Sequence, residues 1–464
     1  MDDQTMEPIL SGMDSGYVSS AASILSDGNV YDPTFLNHNF IGEQTSTSDS
    51  NIALETVALE TVPDIVDLLA DEDPTVVKEA AKVICSLICD PDKGCRRIIL
   101  LSDGMHHLVR LLATTKDCEV LNHALLSIHN LILHQEGAKE VFFQADGLDA
   151  LIHFVQTHQD DKKLCVAIDC IRLLAYKNQP VRMAILNSST TARLVQILEQ
   201  SQFVELKRII IRVLKVLSAC PQNSKVIVDC GGFHYLASIL NASIDDTGAL
   251  WTLRNLSDDA INLNGLEPLL HSLIGILELF LAIPVSEMTP SSENHTISEI
   301  CDTLTCATQI LSNLTCNVSN KTYVQNINGV EALIKIAHCF AGDERITDSA
   351  LCSIRHLSWG YPNAEIAQQT IIGMGLLPLI LNNFLHTRDF SIRKAVVGII
   401  RNLAANSTIV PTLIEFDVKQ ALIDQFVRGL ITTDSPSNEK CQNLVLQIEQ
   451  TIELINNNAT VVMD

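Results

Sequence analysis

Apolar residues recur along this chain in a short phrase, in which two apolar positions enclose two positions that we expect to face outward from one helix. Eight phrases align: Val83–Leu87, Ile128–Leu131, Ile171–Leu174, Leu214–Leu217, Leu253–Leu256, Leu311–Leu314, Ile354–Leu357 and Ile400–Leu403. Their third positions lie 39 to 58 residues apart, and five of the seven steps are 43 to 46 residues. This period predicts helical repeats that bury their apolar faces only by stacking on one another.

Turn signals and changes in polarity divide the chain. Turns precede new apolar helices at Asp103-Gly104, Asp146-Gly147, Gly231-Gly232 and Asn328-Gly329. We predict a disordered acidic tail at 1–52, a repeat solenoid at 53–430, and a polar break with a degenerate terminal helical repeat at 431–464. The longest step between phrases predicts an inserted surface loop at about 284–298.

Composition favours helices and excludes some functions. With 47% apolar and 5% aromatic residues, stacked helices fit better than sheets. The formal net charge is −24, and residues 1–77 contain fifteen acidic and no basic residues. This acidity argues against direct nucleic-acid binding, because phosphates require a basic surface. We therefore expect an all-α, right-handed superhelical solenoid of about nine repeats of the armadillo or HEAT type, with an acidic tail.

The sequence shows no membrane, metal or catalytic signature. The N-terminus lacks a basic flank followed by an apolar segment, so we expect an intracellular protein. The most apolar stretch, 266–285, carries Glu267, His271 and Glu278, which predicts a buried helix instead of a membrane span. The fourteen cysteines include no Cys-x-x-Cys pair and are expected to be core thiols. Without a phosphate loop, His-Glu-x-x-His or nucleophile elbow, we expect no enzyme activity and no cofactor.

The outward positions of the phrases predict a groove. The second positions form a mainly basic stripe: His129, Arg172, Lys215, Arg254, Ser312, Arg355 and Arg401. Four third positions are asparagine, at Asn130, Asn255, Asn313 and Asn402. An asparagine amide offers a donor and an acceptor to the main chain of an extended peptide. This pattern indicates an acidic extended protein ligand; in the alternative, the cations are ordinary solvated residues and the asparagines cap their own helices.

Several segments resemble the armadillo repeats of the beta-catenin family, and the resemblance extends from the first repeat to about residue 405. The matching segments are His129–Lys139, Arg212–Ser218, Leu250–Asp258, Ile310–Cys316 and Lys394–Leu403. In that family the groove binds acidic extended segments of T-cell-factor transcription factors, cadherin tails and destruction-complex scaffolds. The resemblance implies a Wnt-signalling adaptor and transcriptional coactivator, with a junctional adaptor on cadherin tails as the alternative.

The resemblance also implies particular groove residues. Lys215 and Lys321 correspond to two lysines that grip acidic ligand groups, whereas one further basic position of the family is Gly360 here. The implied groove comprises Asn130, Arg182, Lys215, Arg254, Asn255, Asn313, Lys321, Arg355, His356, Lys394, Arg401 and Asn402.

The N-terminal region resembles further parts of that family. Asp14-Ser15-Gly16-Tyr17-Val18-Ser19 matches an Asp-Ser-Gly-x-x-Ser phosphodegron, which a ubiquitin-ligase receptor reads, and Ser23 continues the spacing. The first lysine of the chain is Lys78. A surface that recruits a transcriptional cofactor protein is implied at Asp64, Ile65, Leu68, Asp73 and Leu87. The segment that would hold alpha-catenin has no match, so we expect no alpha-catenin binding.

A transport receptor like importin-alpha is a third hypothesis. In that class the armadillo groove uses Trp and Asn four residues apart, as at Trp251 and Asn255. The class also needs Trp in several repeats and an acidic groove for basic cargo. This chain has only Trp251 and Trp359, and its predicted groove is basic.

Overall fold

The computed structural model describes residues 59–89, 94–243, 246–282, 294–424 and 439–463, which form helices and the turns and short segments that connect them. They form two compact units. Unit 1 contains the residues up to Ser188 together with Ala219–Pro221, and unit 2 contains Ser189–Ser218 and the residues from Gln222 onward.

The α-helices in chain order are α1 Val62–Asp67, α2 Pro74–Cys89, α3 Cys95–Leu101, α4 Gly104–Thr114, α5 Cys118–His134, α6 Ala138–Gln144, α7 Gly147–Thr157, α8 Asp161–Ala175, α9 Gln179–Asn187, α10 Thr190–Gln200, α11 Val204–Leu217, α12 Pro221–Asp229, α13 Gly232–Ala242, α14 Thr247–Leu256, α15 Glu267–Leu281, α16 Asn294–Leu314, α17 Val318–Asn326, α18 Gly329–Cys339, α19 Glu344–Leu357, α20 Ala364–Gly373, α21 Leu376–Asn382, α22 Phe390–Ala404, α23 Val410–Glu415 and α24 Glu439–Met463. Short 3-10 helices lie at Leu59–Thr61, Leu68–Ala70 and Phe384–His386, and residues 418–424 are also helical.

Most repeats contain a short first helix, a second helix of about three turns and a long third helix. In one such repeat, α6, α7 and α8 have 7, 11 and 15 residues. The apolar phrase lies in the C-terminal part of the third helix. The described residues include nine third helices, so the prediction of an all-α solenoid of about nine repeats is confirmed.

Tight turns join the first helix to the second. The residue before the second helix adopts a left-handed conformation, for example Asp146 with φ 55° and Asn328 with φ 58°. The next residue is often glycine, because a Cβ atom on Gly147 would overlap the Phe142 ring and one on Gly329 would overlap Val324. The predicted turns at these positions are confirmed.

The third helices form the centre of each unit. In unit 2, α19 packs against α16, α18 and α22, and ten of its fourteen residues are buried. A helix covered on several sides lacks the single apolar stripe of a surface helix. The third helices of unit 2 follow one another as α11, α14, α16, α19, α22 and α24, and each packs against the next.

One predicted boundary differs in the structure. Helix α16 begins at Asn294, four residues before the end predicted for the inserted loop at about 298, and residues 283–293 lie outside the described part. The tail at 1–52 and the polar break at 431–438 also lie outside it. The predicted terminal repeat corresponds to α24, which packs against α22 and α23.

The apolar stretch at 266–285 contains α15, which buries Leu269, Leu273 and Leu277 in the core of unit 2. Within the described ranges, no single helix is long and apolar enough to cross a membrane. One bent pair, Ala364–Gly373 with Leu376–His386, passes that test by length and composition.

Candidate functional site: the ladder face of unit 2

A row of side-chain hydrogen bonds links the third helices of unit 2. Three asparagines at the third phrase position each donate from Nδ2 to the serine that follows the third helix of the preceding repeat. The distances are 3.0 Å from Asn255 to Ser218 Oγ, 2.9 Å from Asn313 to Ser257 Oγ and 2.8 Å from Asn402 to Ser358 Oγ. Each amide therefore ties one repeat to the next.

The serines complete the link, and the asparagine oxygens remain available. Ser257 Oγ donates to the Arg254 carbonyl oxygen at 2.8 Å, and Ser358 Oγ donates to that of Arg355 at 2.9 Å. We expected each amide to offer both its donor and its acceptor to a ligand. The amide nitrogen is instead engaged within the fold. In the part of the chain that the structure describes, no donor bonds to the three Oδ1 atoms, so they can accept from a peptide N–H.

His356 takes the same position in its repeat. Its Nδ1 atom lies 3.1 Å from the Ser312 carbonyl oxygen and must donate to it, so Nε2 is the acceptor for Arg355 Nη2, also at 3.1 Å. Burial, followed by the positive charge of Arg355, lowers the pKa of the His356 imidazole to about 3. His356 is therefore neutral at physiological pH and positions Arg355 instead of adding a charge.

Two cations share one indole ring near the start of this row. Lys215 Nζ lies 4.8 Å and Arg254 Cζ 5.4 Å from the centroid of the Trp251 ring, which are cation–π distances. Arg254 also donates from Nε to Gln309 Oε1, and burial lowers the pKa of its guanidinium. These contacts hold both cations in place.

Lys321, on the first helix α17, joins the site through the loop after α19. Its Nζ donates to the Trp359 carbonyl oxygen at 2.8 Å and lies 6.0 Å from the Tyr361 ring centroid. Burial lowers the pKa of the Lys321 ammonium. Gly360, at the position where the resemblance implies a basic residue, has φ 80° and would place a Cβ atom 3.5 Å from Nζ.

Helix α22 contributes the remaining cations. Gly398 admits the aliphatic part of Arg355, because a Cβ atom there would lie 2.5 Å from Arg355 Cδ. Lys394 and Arg401 are half-buried on the same helix and form no ion pair with the described residues. The surface built in this way is called the ladder face and comprises Lys215, Trp251, Arg254, Asn255, Asn313, Lys321, Arg355, His356, Lys394, Arg401 and Asn402.

In unit 1 the predicted outward positions are wrong at two residues. Asn130 is completely buried, and its Nδ2 atom donates to the Leu126 carbonyl oxygen of its own helix at 2.9 Å. His129 is also buried, and its Nε2 atom lies 2.8 Å from Asp169 Oδ2. Both residues belong to the core because α5 packs against the neighbouring third helices α2 and α8.

A buried charge network surrounds Asp169. Arg172 donates from Nε to Asp169 Oδ1 at 2.6 Å. Burial acts to raise the pKa of Asp169, but the contacts with His129 and Arg172 outweigh it and lower the pKa to about 2. The Arg172 guanidinium is therefore engaged in an ion pair with Asp169 within the fold. The predicted groove residue Arg182 is half-buried, and its Nε donates to Gln179 Oε1 at 3.1 Å.

Only part of the predicted first-repeat surface is exposed. Asp64, Leu68 and Asp73 are exposed and Ile65 is half-buried, but Leu87 is only 1% exposed and is a core residue, so its assignment to a surface is wrong. The Asp73 carboxylate also has a structural role, since it accepts from the Thr75 N–H at 2.8 Å at the start of α2. The phosphodegron-like residues Asp14, Ser15, Gly16, Ser19 and Ser23 lie outside the described residues.

The structure adds residues that sequence reasoning missed. The serine column that receives the ladder hydrogen bonds could have been found, because Ser or Thr directly follows the phrases at Ser218, Ser257, Thr315 and Ser358. Asn458 in α24 donates to the Ala404 carbonyl oxygen at 2.8 Å and continues the row into the terminal repeat. It stands within a run of three asparagines, without an apolar phrase to mark it. No group of three or more His, Cys, Asp or Glu among the described residues is placed to hold a metal ion.

Comparison with known proteins finds relatives named junction plakoglobin, catenin beta and armadillo segment polarity protein. Junction plakoglobin from Homo sapiens is 34% identical over 78% of this chain and 53% of its own length. Catenin beta from Urechis caupo is 32% identical over 75% of this chain and 45% of its own length. The armadillo segment polarity protein from Musca domestica is 32% identical over 75% of this chain and 46% of its own length. The chain spans about half the length of these relatives.

Solved structures agree with the fold. A structure from work on the phosphorylation switch that controls the interaction between cadherin and beta-catenin has a TM-score of 0.68 at 22% identity, covering 85% of this chain and 80% of that chain. An engineered protein has a TM-score of 0.56 at 19% identity, covering 84% of this chain and 98% of that chain. A family model for the V-ATPase H subunit matches residues 48–259, less than half of the chain.

Proposed function

Because this chain belongs to the beta-catenin-like family of armadillo-repeat proteins, we propose that it is an adaptor whose ladder face binds acidic, extended segments of partner proteins. Cations without acidic partners carry this proposal. Arg254, Lys321, Arg355, Lys394 and Arg401 form no ion pair with any acidic side chain among the described residues, although the chain has 55 acidic residues. Cations that remain unpaired in so acidic a protein favour acidic ligands.

The asparagine oxygens support an extended ligand conformation. They lie at the same repeat position on α14, α16 and α22 and can accept main-chain N–H groups, so they recognise a peptide backbone irrespective of its side chains. The cations supply selectivity for acidic residues. Together they suit a segment that lies along the helices of unit 2.

The partner that we propose first is a T-cell-factor transcription factor, with the chain acting in Wnt signalling as a coactivator in cytoplasm and nucleus. The exposed acidic residues of the first repeat, including Asp64 and Asp73, would recruit a cofactor protein. Phosphorylation of Ser15 and Ser19 would create the site for a ubiquitin-ligase receptor. Destruction-complex scaffolds are further candidate ligands for the same face.

Cadherin tails are the second candidate, and the comparisons favour them. Relatives named junction plakoglobin align over 78% of this chain, and the structural neighbour at TM-score 0.68 comes from work on cadherin and beta-catenin. A cadherin tail would place the protein at cell junctions. Transport of basic cargo is disfavoured, because the cations Lys215 and Arg254 contact Trp251.

Calorimetry with three peptides tests the proposal: an acidic T-cell-factor segment, a cadherin-tail segment and a basic nuclear-localisation segment. We expect the double variant Lys215→Glu, Lys321→Glu to abolish binding of both acidic peptides, because each truncated charge contact costs about 2 kcal/mol or more and reversal adds repulsion. The matched control is Lys225→Glu, Lys335→Glu, which makes the same change in charge at exposed positions of α12 and α18. Unchanged affinity in the first double variant, or preference for the basic peptide, would reject the proposal.

A further inference from the structure

The loop after α19 exposes a large aromatic residue beside a buried cation. Trp359 is 54% exposed, and its carbonyl oxygen accepts the hydrogen bond from Lys321 Nζ at 2.8 Å. The indole therefore lies within one side-chain length of the ammonium group. Half of its apolar surface has no contact within the described part of the chain, so a ligand that covers it gains hydrophobic free energy.

The ammonium group of Lys321 is prepared for an anion. The residue is only 9% exposed and has no acidic partner among the described residues. An ammonium has three N–H donors, and the Trp359 carbonyl oxygen uses one of them. Burial lowers the pKa of Lys321, and a carboxylate would relieve the cost of that burial.

Gly360 lies beside the ammonium group. A side chain at this position would begin 3.5 Å from Lys321 Nζ, and the backbone φ of 80° disfavours residues other than glycine. Because glycine has no side chain, the position 3.5 Å from the ammonium that a Cβ atom would take is left without one.

We propose that Lys321, Trp359 and Gly360 form a two-part subsite that selects acidic protein segments carrying an aromatic side chain close to a carboxylate. The carboxylate pairs with the Lys321 ammonium, and the aromatic ring packs on the exposed indole of Trp359. This subsite rests on the proposed function and defines which acidic segments the ladder face prefers.

The test uses the full chain and calorimetry with a set of acidic peptides in which a single Phe is moved along an otherwise fixed sequence. The reference is the same acidic peptide with serine at every position that Phe occupies in the set. We expect one Phe position to raise affinity about fivefold over the reference. Trp359→Ser should remove this gain without changing the affinity of the reference peptide. Leu101→Ser, which removes another exposed apolar side chain, should leave the gain intact.

The outcomes separate the subsite from the proposed function. Binding of the acidic peptides with no preferred Phe position, or a gain that survives in Trp359→Ser, overturns the subsite alone. Equal binding of an uncharged Phe peptide also overturns it, because the patch would then be a general apolar surface. If the folded chain binds none of the acidic peptides, the proposed function fails and the subsite fails with it.

Discussion

At the scale of single residues, His356 illustrates how burial decides the role of a side chain. Its pKa of about 3 in the fold is below the value near 6.5 expected in the unfolded chain. Between pH 6.5 and 3, His356 binds a proton in the unfolded chain but not in the folded protein. The stability that His356 provides is therefore complete above pH 6.5 and is lost as the pH falls toward 3. The expected slope is at most about 1.4 kcal/mol per pH unit.

Urea unfolding of the parent and of His356→Gln at pH 7, 6 and 5 measures this effect. We expect the parent to lose more stability than the variant as the pH falls, because glutamine does not titrate. His271→Gln, at an exposed position on α15, is the control and should follow the parent. Parallel pH profiles for the parent and His356→Gln would contradict the assignment of a neutral, buried imidazole.

Asp348 gives a second residue-scale prediction, of opposite sign. Burial, with the Asp389 carboxylate as the second cause, raises the pKa of Asp348 to about 7. Its contribution to stability is therefore complete below pH 4 and is lost as the pH rises through 7. We expect Asp348→Asn to be more stable than the parent at pH 8 by about 1–3 kcal/mol, and the two to converge near pH 4. Denaturation of the parent and the variant at pH 8 and pH 4 measures this difference in stability. A variant that is less stable than the parent at pH 8 would refute the prediction.

At the scale of helices, the repeat period of the sequence predicts the third helices. Stacking of these helices requires apolar residues at a regular interval, and that requirement gives the sequence its period. The same period does not show which polar positions face solvent. His129 and Asn130 occupy phrase positions that are outward elsewhere, yet α5 is covered by its neighbours. The partner that makes burial of His129 possible is Asp169, which is 40 residues away in the sequence. A pattern within one helix does not contain that information.

The glycines that begin the second helices provide a test of the repeat geometry. Gly329 lies against Val324 and Ile274, so Gly329→Ala forces these residues apart and should lower the free energy of unfolding by about 1–3 kcal/mol. Gly275, within α15, has no neighbour within 4 Å of a Cβ atom. Gly275→Ala should therefore raise stability by about 0.5–1 kcal/mol, because alanine favours helices. Thermal denaturation of both variants checks the pair, and equal effects would show that close approach is not what requires Gly329.

At the scale of the whole molecule, the groove residues were predictable mainly through resemblance and much less through charge. The net charge of −24 gives no sign of the basic ladder face, because acidic residues elsewhere in the chain outnumber its cations. Neither the exposure of Trp359 nor the contact between its carbonyl oxygen and Lys321 follows from the sequence, since the two residues are 38 positions apart. The fold thus determines which cations can meet a ligand.

Salt should act on stability and on binding in opposite directions. Raising NaCl from 0.1 to 1 M shortens the screening length from about 10 to about 3 Å. Screening relieves repulsion among the excess acidic residues, so the melting temperature should rise by a few degrees. The same screening weakens attraction between the ladder face and an acidic peptide, so affinity should fall about tenfold or more.

Thermal denaturation and calorimetry at the two salt concentrations measure both effects. Sucrose is the control for general stabilisation, because it raises the melting temperature without screening charge. A chain that is stabilised by salt while it loses affinity must carry its binding cations on a locally basic surface within an acidic protein. Affinity that does not change with salt would show that charge does not govern ligand binding at the ladder face.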